Sequence, residues 1–509
     1  MIKYIDNFLN KITMYRIVLY ILMFFFVAAF CLSFFKLLPY TPVDLIVSLL
    51  IILFISWVTN IVFSKFFEAP TNVESVYITA LILFFLITPI QGGVYTDFLP
   101  FAFWASVWAM ASKYIFAIGR KHLFNPAAFA VALTAITINQ SASWWIGTTN
   151  MLPFVIIGGI LVVRKIRKGD LIFSFILSAF ITITVFTILK GSDVATVLLR
   201  TIKDSAFLFF AFIMLTEPLT APTTKWPRVV FGVLVGFLVA PDVHIGQFYL
   251  TPEIALLLGN IFAYLVSPKQ KLFLKLKEQV KIANDTYDFI FIKNTNFSFR
   301  PGQYMEWTLK HRDPDTRGNR RYFTIASSPT EPEIHLGVKF YPEPSSFKNH
   351  LLALPIGEEI IVSQLAGDFV LPKKEKQGLV FIAGGIGVTP FRSMVQYLLD
   401  KKEKRNITIF YSNKKISDIA YKDVFDRAKN ELGIKTIYNI TEKNEILSDL
   451  SMQKGFIDAE MIKREVPDYL NKIFYISGPH SMVYAFENTL KSMGVSSNNI
   501  KIDFFPGFA

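Results

Sequence analysis

Three short stretches in the second half of the chain carry the residue types that a phosphate-bearing redox cofactor would need. "AGGIGVTPFRSM" (Ala383 to Met394) follows an apolar run and opens a helical pattern, so its glycines let backbone amides approach a pyrophosphate at the positive helix end. Upstream, "RRYFTIASSP" (Arg320 to Pro329) offers a fixed cation, an aromatic ring and small hydroxyls within one strand-like span. Those are the parts that hold a flavin diphosphate, cover an isoalloxazine face and hydrogen-bond its N5 edge. Taken singly, the first could be a structural turn and the second a strand with a solvent-facing arginine. The third, "DFFPGFA" (Asp503 to Ala509), sets phenylalanines around a Pro-Gly pair, which makes it either a sticky tail or the wall of a site.

These stretches sit in a chain of two compositions. Its 509 residues are too many for one compact domain, and 52% hydrophobic content is too apolar for an ordinary soluble protein. The apolar runs end near residue 267, and mixed charged segments follow. The formal charge of +13 does not point to nucleic acid, because no known binding motif or basic stretch with aromatic interleaving accompanies it; lysines flanking membrane spans explain it better. The single cysteine, Cys31, lies in the first apolar run and reads as a small buried hydrophobe. It permits no disulfide, zinc knuckle or cysteine-ligated iron-sulfur cluster, and no metal site is expected.

Measured against the roughly 20 residues a bilayer requires, apolar stretches fall near 15–36, 42–64, 73–90, 99–118, 123–138, 151–165, 170–190, 204–217, 228–241 and 252–267. They predict a membrane domain of about ten helices over residues 1–267, with the run after Arg16 as a first anchor rather than a cleaved leader. Prolines at or near 123–138, 204–217 and 228–241 predict broken or tilted helices there. "RKIRKGD", the turn with Lys113, Arg120 and Lys121, "TTKWPR" and "SPKQKLFLKLK" share one side, while "QGGVYTDF", "NQSASWWIGTTN" and "APDVHIGQFY" carry no lysine or arginine. That alternation predicts a multi-pass inner or plasma membrane protein with both termini and the soluble part cytoplasmic. Lys190, Arg200 and Lys203 break the pattern. Beyond the membrane part, a short basic helix or linker is expected over 268–278. Period-two alternation then predicts an antiparallel β-barrel over 279–376, and a repeated strand, glycine loop, helix order predicts an α/β nucleotide-binding domain over 377–509.

"RPGQY", "RRYFTIASSP", "SSFKNHL", "GDFVLP", "GGIGVTP", "SGP" and "DFFPGF", in that order, resemble the ferredoxin-NADP reductase superfamily of FAD-binding oxidoreductases. The resemblance implies that Arg321 pairs with the FAD pyrophosphate, Phe323 packs on the flavin ring and Thr324 hydrogen-bonds at N5. It further places Val338 and Lys339 at the pyrimidine side, and Ser345, Ser346 and Phe347 near phosphate. For NAD(P)H it assigns Gly384, Gly385, Gly387, Thr389, Pro390, Gly478 and Pro479, with Ser477 in place of the cysteine often found beside the nicotinamide, and the polarity of Ser412 and Asn413 adds them to that site. Asp503, Phe505, Gly507 and Phe508 match the family's terminal motif, which puts Phe508 over the flavin face and Asp503 near the hydride path. The polar loop from Ser412 to Lys415 suits either nicotinamide cofactor, and its lack of an arginine leans to NADH.

In the membrane half, only His122 and His244 are histidines, too few for two bis-histidine haems, so no haem is expected. "RKHLFNPAAFAVAL", "FAFIMLTEPLTAPTTK" and "RVVFGVLVGFLV" resemble the membrane B subunit of the sodium-pumping NADH:quinone reductase and the D subunit of the Rnf complex. That family carries membrane flavins, which implies a second flavin, FMN or riboflavin, here. Its Ser-Gly-Ala-Thr attachment element is not found, which argues against a covalent link. Asn125, Thr216, Glu217 and Thr220 are the candidates for a membrane flavin or ion site, since they put polar side chains at depth. The expected protein is a membrane-bound FAD-dependent NAD(P)H oxidoreductase embedded in lipid. It would pass electrons to a membrane flavin, a quinone or a soluble carrier. A redox-coupled Na⁺ or H⁺ translocator and a non-catalytic flavin sensor are the alternatives.

Overall fold

The computed structural model describes residues 9, 12, 14–67, 73–118, 121–166, 168–203, 206–267, 272–293, 297–311, 315, 319–442, 444–447 and 452–503. The chain divides into two compact units, Met1–Lys269 and Gln270–Ala509.

The first unit is helical: α1 (Met14–Phe34), α2 (Pro42–Phe66), α3 (Val73–Leu86), α4 (Phe98–Ile115), α5 (Pro126–Thr137), α6 (Leu152–Ile166), α7 (Gly169–Leu189), α8 (Val194–Lys203), α9 (Lys225–Leu238) and α10 (Pro252–Val266). Two-residue hairpins interrupt it, β1 (Ala117–Ile118) with β2 (Lys121–His122), and β3 (His244–Ile245) with β4 (Phe248–Tyr249). By length and composition α1, α2 and α7 are long and apolar enough to cross a membrane. Apolar side chains cover both their faces, as a lipid-embedded helix requires. Small residues bring helices close: a side chain at Gly236 of α9 would fall 2.4 Å from the Phe175 carbonyl of α7.

The stretch 204–217, where a broken or tilted helix is expected, holds a short turn at Phe207–Phe209 that runs into a π-helical turn at Phe210–Met214, and regular helix stops before Glu217 and Pro218. Of the basic residues that broke the charge alternation, Lys190 ends α7, and Arg200 and Lys203 belong to α8, none of whose residues is buried. Pro126 does not kink α5 but starts it, behind the side-chain cap of Asn125.

In the second unit an antiparallel sheet runs in the order β8-β7-β10-β5-β6-β9. Its strands are β5 (Leu272–Ala283), β6 (Thr286–Lys293), β7 (Tyr304–Thr308), β8 (Arg320–Thr324), β9 (Glu333–Lys339) and β10 (Glu359–Ala366). The expected basic helix or linker at 268–278 is thus strand from Leu272 onward, because Leu272, Leu274 and Leu276 alternate inward and Lys275 and Lys277 outward. Among the described residues the edge strands β8 and β9 form no ladder with each other. Past the end of β8, Ala326 N donates to His335 O at 2.9 Å and His335 N to the Ser327 hydroxyl at 3.1 Å, which draws the two edges of the sheet together. The short helix α11 (Ser346–Leu352) follows β9.

A parallel sheet comes next, in the order β14-β13-β12-β11-β15-β16. It comprises β11 (Leu379–Gly384), β12 (Ile407–Asn413), β13 (Lys435–Ile440), β14 (Met452–Lys454), β15 (Ile473–Ser477) and β16 (Ile500–Asp503). Helices α12 (Thr389–Lys401) and α13 (Lys422–Leu432) cover one face, and α14 (Ala459–Glu465) and α15 (His480–Ser492) the other. Strand β11 is buried on both sides, Phe381 facing the first pair and Ile382 the second, which explains its unbroken apolar run. Strand order reverses between β11 and β15, and that switch point is where open parallel sheets bind ligands.

Candidate functional site

At the switch point two turns meet backbone to backbone. A side chain at Gly387 would fall 2.5 Å from Gly478 Cα and 2.6 Å from Gly478 N, so the loop after β11 packs directly on the loop after β15. Gly385 turns left-handed, at φ 53°, with open space where its side chain would be. Thr389 closes the turn through a 3.2 Å bond from its hydroxyl to Ile386 O, and Pro390 starts α12. Gly384 lies opposite Ser412 in the β11–β12 register, and Ala383 opposite Ser477. Ser477 in turn pairs with Asp503, so the structure brings these two buried groups beside the loops. Asn413 ends β12, buried, its carbonyl accepting from Thr441 N at 3.0 Å. Gly478 and Pro479 lead into α15. Phe505, Gly507 and Phe508 lie outside the described residues.

The second cluster gathers on β8 and α11. Arg321 and Phe323 share one face of β8, two residues apart, and Thr324 pairs with Tyr304 at the strand end. Arg321 is 1% exposed. Its guanidinium bonds Asp315 at 3.0 and 3.2 Å and lies 5.4 Å from the Phe347 ring centre, while Phe323 and Phe347 stand 5.9 Å apart. Asp315 and Ser346 bond each other through both backbone amides, at 2.9 and 3.2 Å, and His311 reaches the Ser346 hydroxyl. Ser345 caps α11 by accepting from Lys348 N. The cations do not stand open: Arg321 holds a carboxylate, and Lys339 pairs with Asp418 at 3.2 Å instead of lying exposed beside Val338, which is core. Lys348, buried, donates to Lys339 O at 2.9 Å and was not foreseen. Two buried cations, hydroxyls and a pair of aromatic rings form a donor set that fits a flavin diphosphate.

In the helical unit a chain of polar contacts links three of the four residues singled out there. Asn125 caps α5 through Ala128 N at 3.0 Å, and its own amide donates to Asn260 Oδ1 at 2.9 Å. Asn260 Nδ2 reaches Thr220 O at 3.3 Å, the Thr220 hydroxyl donates to Glu217 at 3.1 Å, and His122 Nε2 meets the same carboxylate at 2.9 Å. Thr216 stands apart, its hydroxyl returned to Phe212 O at 2.8 Å. Sequence reasoning missed His122 as a partner and Asn260 altogether. The signal for Asn260 was a lone amide in the apolar run "ALLLGNIFAY".

Residues 381–488 match the oxidoreductase NAD-binding domain, and residues 136–271 match the NQR2, RnfD, RnfE family. The latter match takes in Thr216 to Pro222 and begins after Asn125-Pro126-Ala127-Ala128. A flavohemoprotein of Oceanobacillus iheyensis is 27% identical over 243 residues, 45% of this chain and 58% of that protein. The glycine betaine monooxygenase reductase subunit of Chromohalobacter salexigens is 26% identical over 234 residues, 44% of this chain and 62% of its own. Both matches thus span less than two thirds of the relative's length. Among solved structures, the cytochrome b5 reductase domain of Ulva prolifera nitrate reductase aligns over 47% of this chain and 98% of that chain, with 23% identity and a TM-score of 0.40. The chain thus pairs a stretch similar to the NQR2, RnfD, RnfE family with one similar to the NAD-binding domain of oxidoreductases, and its second half is similar to flavohemoproteins and a reductase subunit.

Proposed function

We propose that the protein is a membrane-bound oxidoreductase that passes electrons from NAD(P)H through FAD to a membrane flavin, a quinone or a partner electron carrier. The observation that carries this reading is the contact of the two glycine turns at the switch point, beside Ser477 and Asp503. Arg321, Ser345, Ser346 and Lys348 would hold the FAD diphosphate, with Phe323 and Phe347 against its apolar parts. Bound FAD supplies hydride acceptance at N5 and onward electron transfer. Val338 and Lys339 border the flavin, and Thr324, Ser477 and Asp503 orient the reacting groups rather than exchange protons, since hydride transfer depends on alignment. Gly384, Gly385, Gly387, Thr389 and Pro390 present backbone amides to the dinucleotide phosphates, Gly478 and Pro479 face its nicotinamide half, and Ser412 and Asn413 its far ribose. The soluble unit and both termini are assigned to the cytoplasmic side.

Phe508 is proposed to shield the flavin face that the nicotinamide enters. Removing the last seven residues should then lower the NAD(P)H oxidation rate about tenfold with FAD content unchanged, since a lost aromatic cover is worth about 1 kcal/mol or more. Unaltered steady-state rates and cofactor preference would make the terminus mere packing.

The polar chain from Asn125 to His122 is proposed as the point where the membrane half receives electrons or couples them to an ion. A Glu217→Gln protein should keep NAD(P)H oxidation with ferricyanide and lose about tenfold with a membrane quinone. Equal quinone activity in the variant would remove Glu217 from the path. Coupling to Na⁺ or H⁺ is the second reading, favoured by the acid at the centre of that chain, and turnover unaffected by either ion would end it.

A further inference from the structure

A buried polar seam joins the two lobes of the soluble unit. Asp288, on β6 of the antiparallel lobe, is 4% exposed. It accepts a hydrogen bond from His335 Nδ1 at 2.7 Å and another from the Tyr421 hydroxyl at 3.1 Å. Tyr421 belongs to the other lobe, at the residue before α13, and its backbone is left-handed at φ 56°. A bulky side chain rarely adopts that conformation, so something holds it there. Burial first, and then the Asp288 charge, push its phenol well above the usual tyrosine range, which keeps it protonated and donating.

The same side chain touches the cofactor machinery. Its ring centre lies 5.5 Å from the guanidinium carbon of Arg392, and Arg392, on α12, donates across the seam to Ala326 O at 3.1 Å and to Glu331 at 2.8 Å. Gly337, opposite Asp288 in the β6–β9 register, leaves room for this meeting. A side chain there would fall 2.5 Å from the Tyr421 oxygen and 2.9 Å from Thr389 Cγ2. Thr389 follows the glycine loop directly, and Gly337 precedes Val338 and Lys339. One hydroxyl therefore ties the start of α13 to β6, at a point where Arg392 of α12, Thr389 and Gly337 of β9 lie beside it.

We propose that Tyr421 is a positioning residue for hydride transfer, which by donating to Asp288 holds the glycine loop and α12 in register against β9 and so sets where the nicotinamide meets the flavin. The proposal rests on the reductase reading above. It is tested in the full-length, FAD-loaded protein in detergent, by anaerobic rapid mixing with NADH and NADPH. Tyr421→Phe keeps the ring beside Arg392 and removes only the donor. It should leave FAD content, melting temperature and nicotinamide affinity within about twofold of the parent. Flavin reduction should slow about tenfold, in line with a small misalignment of the reacting atoms, and the nicotinamide-flavin charge-transfer absorbance should weaken. Reoxidation by ferricyanide should not change. Asp288→Ala should give the same loss, and the double variant should be no slower than either single one. An unchanged reduction rate in Tyr421→Phe overturns the proposal, as does a fall that only tracks lost FAD. Should Asp288→Ala fail to fold, the Tyr421→Phe result decides alone. Failure of the parent protein to be reduced by either nicotinamide would instead defeat the reductase reading.

Discussion

Alanine at Gly387 should slow flavin reduction by NAD(P)H about a hundredfold while FAD stays bound. The new methyl carbon would stand 2.5 Å from Gly478 Cα, 2.6 Å from Gly478 N and 2.7 Å from the Ser477 carbonyl carbon. Carbon atoms settle at roughly 3.5–4.0 Å, and all three neighbours are backbone, so no side chain can swing away. The two turns must part by about 1 Å, and a displacement of that size between reacting groups costs about a hundredfold. Phe347, beside Arg321, packs in the separate core of the antiparallel lobe, so FAD should be retained. Rapid mixing with NADH, alongside the FAD-to-protein ratio, checks both halves of the expectation. Wild-type reduction rates would mean that this contact does not shape the nicotinamide site.

Arg321→Ala should release FAD. The guanidinium is almost wholly buried, fixed by the Arg320 carbonyl at 2.7 Å and by Asp315, and backed by the Phe347 ring. A charge-assisted bond of this kind contributes about 1.5–3 kcal/mol, which converts to roughly a ten- to hundredfold loss of FAD affinity. The variant also strands the Asp315 carboxylate near the proposed phosphate position, where it would repel. Lysine should not rescue binding, because a point charge cannot reproduce the forked geometry. Ultrafiltration of the purified protein followed by flavin assay of the filtrate is the check. Full FAD retention in Arg321→Ala would make the arginine a structural partner of Asp315 alone.

What was legible in the sequence followed contact range. The glycine turn, the β8 motif and the acid at Glu217 announce themselves within a few residues, because each depends on local backbone geometry or on polarity within an apolar run. The Asp288–Tyr421 bond spans 133 residues, and no local pattern marks either partner. Asn125 and Asn260 are likewise 135 apart. One local feature was misread. "LFLKLK" alternates with the period of a strand, yet its lysines suggested a helix. At 204–217 the prolines pointed to a broken helix, but composition does not signal the π turn itself. The terminal aromatic motif, read from the sequence as the flavin cover, falls outside the described residues, so only Asp503 of that group has a structural place, opposite Ser477.

The central claim is that electrons enter at the switch-point loops and leave through the membrane half. Anaerobic mixing of the purified full-length protein with NADH or NADPH, followed by addition of a membrane quinone, tests it most directly. The flavin absorption should bleach on nicotinamide addition and return when quinone is supplied, and Glu217→Gln should slow only the return. Nicotinamide binding without bleaching would contradict it.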